Sequence, residues 1–294
     1  MMKFSMKKVA TAAMATVAVL AMSAGSAFAA PTFTINPTGV PGNVFALAPF
    51  QATVFGGTSS ELLHLTDATH ATSTGWLQLL NVSNGPTAIG PLVSGLLVDY
   101  GLYLKFDLTT TLLTGTNGGL GSTYTLGSLN FSLFADKDLN TTFVNANSAG
   151  AGTEATVGGT TTDDILLAFG GLVLGQGTAT ITPLAGAALN AVDTFAVCTG
   201  PGTAAVGAVA LVAPSCLGSN GNTYFAVPHP FYNTVLSGFN NAAGSVHKNG
   251  NLVDVQDGVG ALVFNVPEPG SIALLGIALA GLGVSSRRGK KAAS

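Results

Sequence analysis

Charged residues are scarce in this chain. Lysine, arginine, aspartate and glutamate make up 8% of its 294 residues, against about 25% in an ordinary globular protein. Hydrophobic residues account for 47%, which is enough to bury a core and excludes an intrinsically disordered chain. Glycine, with 39 residues, is about twice as frequent as usual. Few charges combined with many glycines argue against a helix-rich cytosolic enzyme.

Basic residues are almost absent from the middle of the chain. Between positions 30 and 265 there are three lysines, Lys105, Lys137 and Lys248, against twelve carboxylates, which gives this region a formal net charge of −9. Nucleic-acid binding needs basic side chains that neutralise phosphates. The sequence therefore excludes a nucleic-acid partner, and anionic membrane surfaces would repel this region.

Catalytic motifs are also missing. The sequence contains no G-x-S-x-G elbow, no P-loop and no Rossmann fingerprint, each of which would indicate a specific chemistry. Its carboxylates are few and scattered, so none can be assigned as a glycosidase pair. We expect a protein that is not an enzyme and that has no catalytic residues. Two acids that meet in a cleft would instead indicate a carbohydrate-active enzyme.

The first 29 residues have the order of a secretory signal peptide. Three lysines, at positions 3, 7 and 8, precede an apolar run at 9–22, and small residues follow at Ala27 and Ala29. This is the pattern that signal peptidase recognises, so we expect cleavage after Ala29 and a mature chain that begins at Ala30. A retained membrane anchor is the alternative.

The last 29 residues, 266–294, form a second targeting pattern. A short motif is followed by an uncharged stretch at 271–284, which predicts a transmembrane helix, and then by a basic stop that would stay on the cytoplasmic side. The motif consists of Val266, Pro267, Glu268, Pro269 and Gly270. The basic stop consists of Arg287, Arg288, Lys290 and Lys291.

This C-terminal arrangement resembles the PEP-CTERM sorting signal of Gram-negative bacteria. The resemblance implies a transient stay in the inner membrane and recognition by an exosortase, in hosts that typically make extracellular polysaccharide. An ordinary C-terminal anchor with a coincidental Pro-Glu-Pro sequence is the alternative.

The region between the two tags, residues 30–265, is expected to form one β-rich extracellular domain. Leu102, Leu104, Phe106 and Leu108 recur at every second position, which predicts a strand with one apolar face. Further strands are predicted at 124–134, 166–174, 178–182, 224–227 and 259–266, separated by Gly, Asn or Pro clusters. Many short strands with Gly-rich loops favour a single β-sandwich or jelly-roll-like domain. Helices at 61–68 and 184–192 are weaker candidates.

The chain has two cysteines, Cys198 and Cys216. In an exported protein we expect them to form one disulfide. Closing a loop of this size would stabilise the fold by roughly 3 kcal/mol.

A calcium site is one interpretation of Asp136, Asp138 and Asn140, which place oxygen ligands at alternate positions. An EF-hand is excluded because Thr141 stands where that loop requires Gly, and Asn147 where it requires Glu. Two readings stay open: a calcium site of another kind, to which Asp163 and Asp164 could contribute, and a surface turn capped by Asp and Asn.

Two further groups of side chains are candidates for binding. His64, Asp67 and His70 would lie within a turn of one another on a helix and could hold a metal, although the zincin motif is absent. Aromatic residues near position 103 and near position 228 favour core packing. A sugar-binding platform is the alternative for them, with Trp76 as the only tryptophan.

A longer resemblance is carried by segments 98–103, 132–143, 163–168 and 225–233, in that order. It is similar to the flocculation-associated PEP-CTERM proteins, which are implied to aggregate bacterial cells together with exopolysaccharide and bring no catalytic residues. The resemblance implies a protein cut by signal peptidase, processed by an exosortase and delivered to the cell surface or matrix, where it promotes flocculation. A secreted carbohydrate-binding module or a carbohydrate-active enzyme is the alternative.

Overall fold

The computed structural model describes residues 31–40, 47–182, 186–200, 203–206, 209–212, 224–227, 233–239 and 245–265. The predicted signal peptide with Ala27, Ala29 and Ala30, and the sorting region from Val266 onward, lie outside these ranges. No helix within the described ranges has the length and apolar character that crossing a membrane requires. The transmembrane helix at 271–284 therefore stays a prediction.

Strands dominate the described residues, which contain only one short α-helix, α1 (Pro91–Ser94), and one 3-10 turn (Pro37–Gly39). The strands are β1 (Phe33–Ile35), β2 (Phe50–Ala52), β3 (Val54–Leu65), β4 (His70–Asn84), β5 (Thr87–Ile89), β6 (Gly101–Thr114), β7 (Thr123–Asp136), β8 (Thr141–Val144), β9 (Thr156–Gly159), β10 (Ile165–Thr182), β11 (Gly186–Gly200), β12 (Thr203–Val206), β13 (Val209–Val212), β14 (Phe225–Val227), β15 (Asn233–Phe239), β16 (Val246–Asn249) and β17 (Leu252–Asn265).

Eight long strands form a closed antiparallel ring. Their order is β10, β7, β6, β4, β3, β17, β15 and β11, and pairing of β11 with β10 closes the ring. The shorter strands β5, β16 and the β12–β13 pair extend it from β4, β17 and β11. Closing a sheet on itself leaves fewer unpaired edges than an open sheet has.

Tight turns connect neighbours in this sheet. Asn249 lies opposite Leu252, so β16 and β17 are joined by a two-residue turn. Gly250, the first residue of that turn, has a left-handed φ of 60°, as a two-residue turn with glycine in this position requires.

The period-two pattern of β6 explains how the ring obtains an apolar interior. Leu102, Leu104 and Leu108 are buried, whereas Lys105 and Asp107 between them are exposed. Side chains on a strand alternate between the two faces of its sheet. The apolar set therefore points into the ring and the charged set points outward.

A second, three-stranded sheet, in the order β14, β1 and β2, adds aromatic residues to the same core. Phe33 of β1 contacts Phe264 of β17 with ring centroids 4.4 Å apart, and Phe225 of β14 contacts Phe195 of β11 at 5.2 Å. Edge-to-face pairs of this kind add to the stabilisation from buried area. The aromatic packing ties the small sheet to one half of the ring interior.

The segment between β8 and β9 is anchored to the outer face of the ring. Ser60 of β3 accepts the backbone N–H of Ala146 at 2.9 Å through its hydroxyl oxygen, and Ala146 packs with Leu62 and Leu252 in a small apolar cluster. Both faces of β3 are therefore covered, one by the core and the other by this loop.

Two sequence expectations about helices are wrong. Residues 61–68 belong mostly to β3 and its turn, and residues 186–192 belong to β11, whereas positions 184 and 185 lie outside the described ranges. The first of these segments forms a strand because Ser60 and Leu62 face the anchored loop while Glu61 and Leu63 face the ring interior. Tertiary packing on both sides of the strand outweighs local helix propensity.

The mainly-β prediction is confirmed, and the strands predicted at 124–134, 166–174, 178–182, 224–227 and 259–266 fall on β7, β10, β14 and β17. The predicted β-sandwich or jelly roll is not what the described residues form, because hydrogen-bonded pairs join the long strands into one sheet that closes through the pairing of β10 with β11. β10 spans two predicted strands at once, with an irregularity between Leu172 and Gly177.

Candidate functional site

A groove of about 370 Å³ lies on the outward faces of β4, β6 and β7. Its polar side chains come together because opposite residues of neighbouring strands share a face. Thr74 is opposite Asp107, Asp107 is opposite Asn130, and Lys105 is opposite Ser132. The groove therefore presents a hydroxyl pair, an amide, a carboxylate and an ammonium group within one small area.

Aromatic side chains form one side of the groove. Phe134, which lines it, stacks on Tyr103 with ring centroids 5.2 Å apart and an interplanar angle of 18°. The sequence offered Trp76 as a stacking platform, but its side chain is only 4% exposed, and its Nε1 donates to the carbonyl oxygen of Val144 at 2.9 Å. Phe134 is therefore the outward-facing aromatic side chain of the groove, while Phe106 and Phe131, which also border it, belong to the buried core.

Lys105 is the lysine of the body whose ammonium group has neither a hydrogen bond nor an ion pair among the described residues. Lys137 pairs with Asp138 at 2.8 Å, and Lys248 donates to the backbone carbonyl of Asn117 at 2.8 Å. All three lysines are described, so the comparison covers the basic residues of the body. In a region of net charge −9, the uncommitted ammonium group lies in the groove.

The groove lining contains a single carboxylate, that of Asp107. Its Oδ2 accepts a hydrogen bond from Nδ2 of Asn130 at 2.9 Å. Glycoside hydrolysis by the usual mechanism requires two carboxyl groups facing the scissile bond. The groove lining does not supply that pair.

The residues of the predicted calcium loop form a capped turn. The carboxylate of Asp136 is buried and accepts the backbone N–H groups of Asp138, Asn140 and Thr141 at 3.2, 3.3 and 2.9 Å. Asp138 turns toward Lys137 instead of toward Asp136. No group of three or more His, Cys, Asp or Glu side chains suited to a metal occurs in the described ranges. Calcium binding by Asp136, Asp138 and Asn140 stays a prediction from the sequence.

Asp163 and Asp164 do approach this turn, as the sequence interpretation allowed. Asp163 lies 3.6 Å from the Nζ of Lys137, while Asp164 accepts hydrogen bonds from the hydroxyls of Tyr103 and Thr141. Burial raises the pKa of the Asp164 carboxyl, and the hydrogen bond from Tyr103 opposes that shift. Contacts with protein groups therefore hold both acids near the turn: Lys137 holds Asp163, and the hydroxyls of Tyr103 and Thr141 hold Asp164.

The histidines of the proposed metal cluster lie on different strands of one hairpin, His64 near the end of β3 and His70 at the start of β4. The Nε2 of His64 lies 2.7 Å from Glu154, and the Nδ1 of His70 lies 2.8 Å from Asp67. The two imidazoles engage different carboxylates, and within the described ranges His64, Asp67 and His70 do not gather into a group that could hold a metal ion.

A buried polar network around Asp254 was not predicted from the sequence. Asp254 is fully buried, and its carboxylate accepts the hydroxyl of Ser148 at 2.9 Å and contacts Nδ1 of His247 at 3.3 Å. Ser148 and His247 both reach the carboxylate, so the serine hydroxyl is not bonded to an imidazole base as a nucleophile would be. The network anchors the 145–155 loop, and no local motif signals it because Ser148 and Asp254 are 106 positions apart.

Cys198 is buried in β11 beside Leu166 and Ala196. Cys216 lies outside the described residues. The disulfide between them stays a prediction.

Comparison with known proteins gives one match. The family model for the PEP-CTERM protein-sorting motif matches residues 265–288. No curated protein and no solved structure matches the chain. The match covers the predicted motif, Val266 to Gly270, the apolar stretch and Arg287 with Arg288. The chain thus carries a PEP-CTERM sorting motif at its C-terminal end, which marks it as an exported protein that an exosortase sorts to the cell surface.

Proposed function

We propose that this protein, once sorted by an exosortase, binds extracellular polysaccharide through the groove on β4, β6 and β7 and thereby promotes cell aggregation. The observation that carries the proposal is the unpaired ammonium group of Lys105 in a polar groove of an otherwise acidic body. This placement suits a polymer that offers both hydroxyl groups and negative charges.

The other side chains of the groove support the same ligand class. Asn130 and Ser132 offer donors and acceptors that match sugar hydroxyls. Thr74, whose hydroxyl donates to Oε2 of Glu154 at 2.8 Å, offers an acceptor, and Phe134 offers an apolar surface for the face of a pyranose ring. Binding sites for small ligands usually combine such an apolar wall with a few polar groups. A single polymer strand lying in the groove would contact both.

The protein is proposed to bind the polymer without cleaving it. Asp107 is the only carboxylate in the groove lining, and its hydrogen bond with Asn130 engages one of its oxygens. A carbohydrate-binding module without the aggregation role is the nearest alternative, and the two differ in whether cells depend on the protein to form flocs.

The test uses matched lysine variants in the native host. The gene is deleted, and the strain is complemented with the wild-type protein, with Lys105→Gln or with Lys248→Gln, which removes the same charge outside the groove. We expect wild type and Lys248→Gln to restore aggregation and to sediment with exopolysaccharide purified from the host. Lys105→Gln should lose most of both activities.

Two results would overturn the proposal. Normal flocs in the deletion strain would show that cell aggregation does not require this protein. Equal retention of Lys105→Gln and Lys248→Gln on the purified polymer would show that the groove is not the binding site.

A further inference from the structure

The connection between β5 and β6, residues 90–99, exposes a cluster of apolar side chains. Four large aliphatic residues lie within seven positions of it and are between 42% and 86% exposed: Leu92, Val93, Leu97 and Val98. The only charged residue of the connection is Asp99, at its last position. Single exposed apolar residues are ordinary on a protein surface, but several together mark a site that contacts a partner or a membrane.

Contacts with the core hold the connection in place, so its apolar side chains stay on the surface. Leu96, at its centre, is 3% exposed and belongs to the core. The hydroxyl of Tyr100 donates to the carbonyl oxygen of Ser94 at 2.8 Å. Leu97 has a left-handed φ of 65°, which is unfavourable for a bulky residue. The fold thus accepts local strain in a segment that keeps Leu97 exposed.

The connection lies at the same end of the ring as the start of the sorting segment. Four neighbouring strands, β17, β3, β4 and β5, share one row of paired residues: Val263, Val54, Ser83 and Ala88. With neighbouring strands about 4.8 Å apart, roughly 14 Å of sheet separates the two outer members of this row. The connection 90–99 begins just after β5, and the described body ends at Asn265, just after Val263.

The chain between the body and the predicted transmembrane helix limits how far this end can lie from the bilayer. The helix is predicted to begin at position 271, so five residues, 266–270, link it to Asn265. Five fully extended residues span at most about 18 Å. While the tail is in the inner membrane, this end of the ring must therefore stay close to the lipid head groups.

The charge distribution suits contact with lipid at this end. No charged residue occurs at 85–98. The β12–β13 pair extends β11 at the same end, and residues 203–212 also carry no charge. A body with a net charge of −9 is repelled by anionic lipids, so a contact with the membrane is favoured where the surface is apolar and uncharged.

We propose that the connection 90–99 docks on the lipid bilayer of the inner membrane while the C-terminal segment is still attached, with its four exposed aliphatic side chains among the head groups. Apolar side chains gain free energy when they leave water for this region. The contact depends on the tail, because so few aliphatic groups bind a bilayer only weakly by themselves. Removal of the tail would therefore release the body for delivery to the cell surface.

The test measures the fluorescence of a tryptophan placed in the connection. Protein that retains its C-terminal segment is purified from an exosortase-deficient strain and reconstituted into phosphatidylcholine vesicles, with or without brominated acyl chains that quench tryptophan on contact. We expect Leu92→Trp to lose about half of the added emission, because tryptophan favours the membrane interface. Leu120→Trp, 66% exposed at the opposite end of β6, is the matched control and should lose almost none. The native Trp76 is buried and gives the same background in each variant.

A second variant separates attraction to lipid from mere proximity. Val93→Thr and Leu97→Asn are added to the Leu92→Trp protein, which keeps the link to the membrane but removes two apolar groups. Asparagine tolerates the left-handed backbone at position 97, and circular dichroism checks that the variant is folded. Quenching should fall severalfold.

Three results would overturn the proposal. Equal quenching of Leu92→Trp and Leu120→Trp would show that the connection does not meet the bilayer. Quenching that the two added substitutions leave unchanged would show that the link alone brings the connection near lipid. A blue-shifted emission that brominated lipid does not quench and that depends on protein concentration would identify a second copy of the chain as the partner. Retention on exopolysaccharide is measured separately, so this proposal and the groove can fail independently.

Discussion

Asn130 of β7 and Asp107 of β6 face each other across two neighbouring strands, and the amide Nδ2 donates to the carboxylate Oδ2 at 2.9 Å. Both side chains are exposed. The bond holds the two groups side by side in the groove, so that the remaining amide atoms are oriented before a ligand arrives. Preorganisation of this kind lowers the entropic cost of binding.

The first prediction concerns this pair. Asn130→Asp would place two carboxylates directly opposite each other, which destabilises a strand pair by roughly 0.2–1 kcal/mol, and would add repulsion toward an anionic polymer. We expect retention on exopolysaccharide to fall severalfold while the fold persists. Asn190→Asp, at an exposed position of β11 away from the groove, is the control. Equal retention of the two variants would contradict a role for the pair in binding.

The second prediction concerns the loop anchor. Ser148→Ala removes a buried hydrogen bond to the Asp254 carboxylate and should lower the free energy of unfolding by about 2 kcal/mol. Amide hydrogens at 145–155 should exchange faster than in the wild type. Ser128→Ala, which removes an exposed contact with Thr109, should change stability by less than about 0.5 kcal/mol. A uniform change in exchange over the whole chain would argue against a local anchor.

The third prediction is a pH dependence that originates at Asp193. This side chain is fully buried between the inward residues Ala191 and Phe195, and neither carboxylate oxygen has a hydrogen-bond partner among the described residues. Burial raises its pKa to about 7, whereas an unfolded chain gives about 3.9. Its neutral form is therefore favoured by folding, and the stabilisation is complete below about pH 4.

Stability should consequently fall as the pH rises from about 4 to about 7 and should stay low above that range. Asp193→Asn should remove this decline and raise stability at pH 8 by on the order of 3 kcal/mol. Asp257→Asn, at an exposed position, is the control. Urea unfolding at several pH values between 4 and 8 measures the stability of the wild type and of the two variants. If the stability of Asp193→Asn falls over this range as much as that of the wild type, Asp193 is not the source of the decline.

The fourth prediction concerns the cysteines. If Cys198 and Cys216 form a disulfide in the exported protein, a thiol-alkylating reagent applied after unfolding without reductant should add no label. The same reagent after reduction should add two labels, one for each cysteine of the chain, and reduction should cost roughly 3 kcal/mol of stability. Two labels without reductant would show that the cysteines are not paired.

The strand content was predictable because inward and outward residues alternate visibly. The pattern from Leu102 to Leu108 placed Lys105 and Asp107 on the face opposite the apolar residues, and that face is the one that forms the groove. The sequence did not identify the groove itself, because Thr74, Asp107 and Asn130 become neighbours only through the pairing of β4, β6 and β7.

Other features depended on long-range packing and were therefore not visible locally. Trp76 appeared suitable for sugar stacking, but Phe143 covers it at a ring distance of 5.0 Å. Closure of the ring depends on β10 pairing with β7 on one side and with β11 on the other. The sorting tail, in contrast, is a linear signal, and the family match at 265–288 confirms the motif that the residue order predicted.

The most direct test of the account compares the two ends of the protein by mass spectrometry, in wild-type cells and in a strain that lacks the exosortase. The account predicts that the wild-type matrix fraction contains a form that begins near Ala30 and lacks the residues after the Val266–Gly270 motif. It also predicts that the tail is retained, in the inner-membrane fraction, in the exosortase-deficient strain. An intact tail on membrane-bound protein in both strains would contradict exosortase sorting.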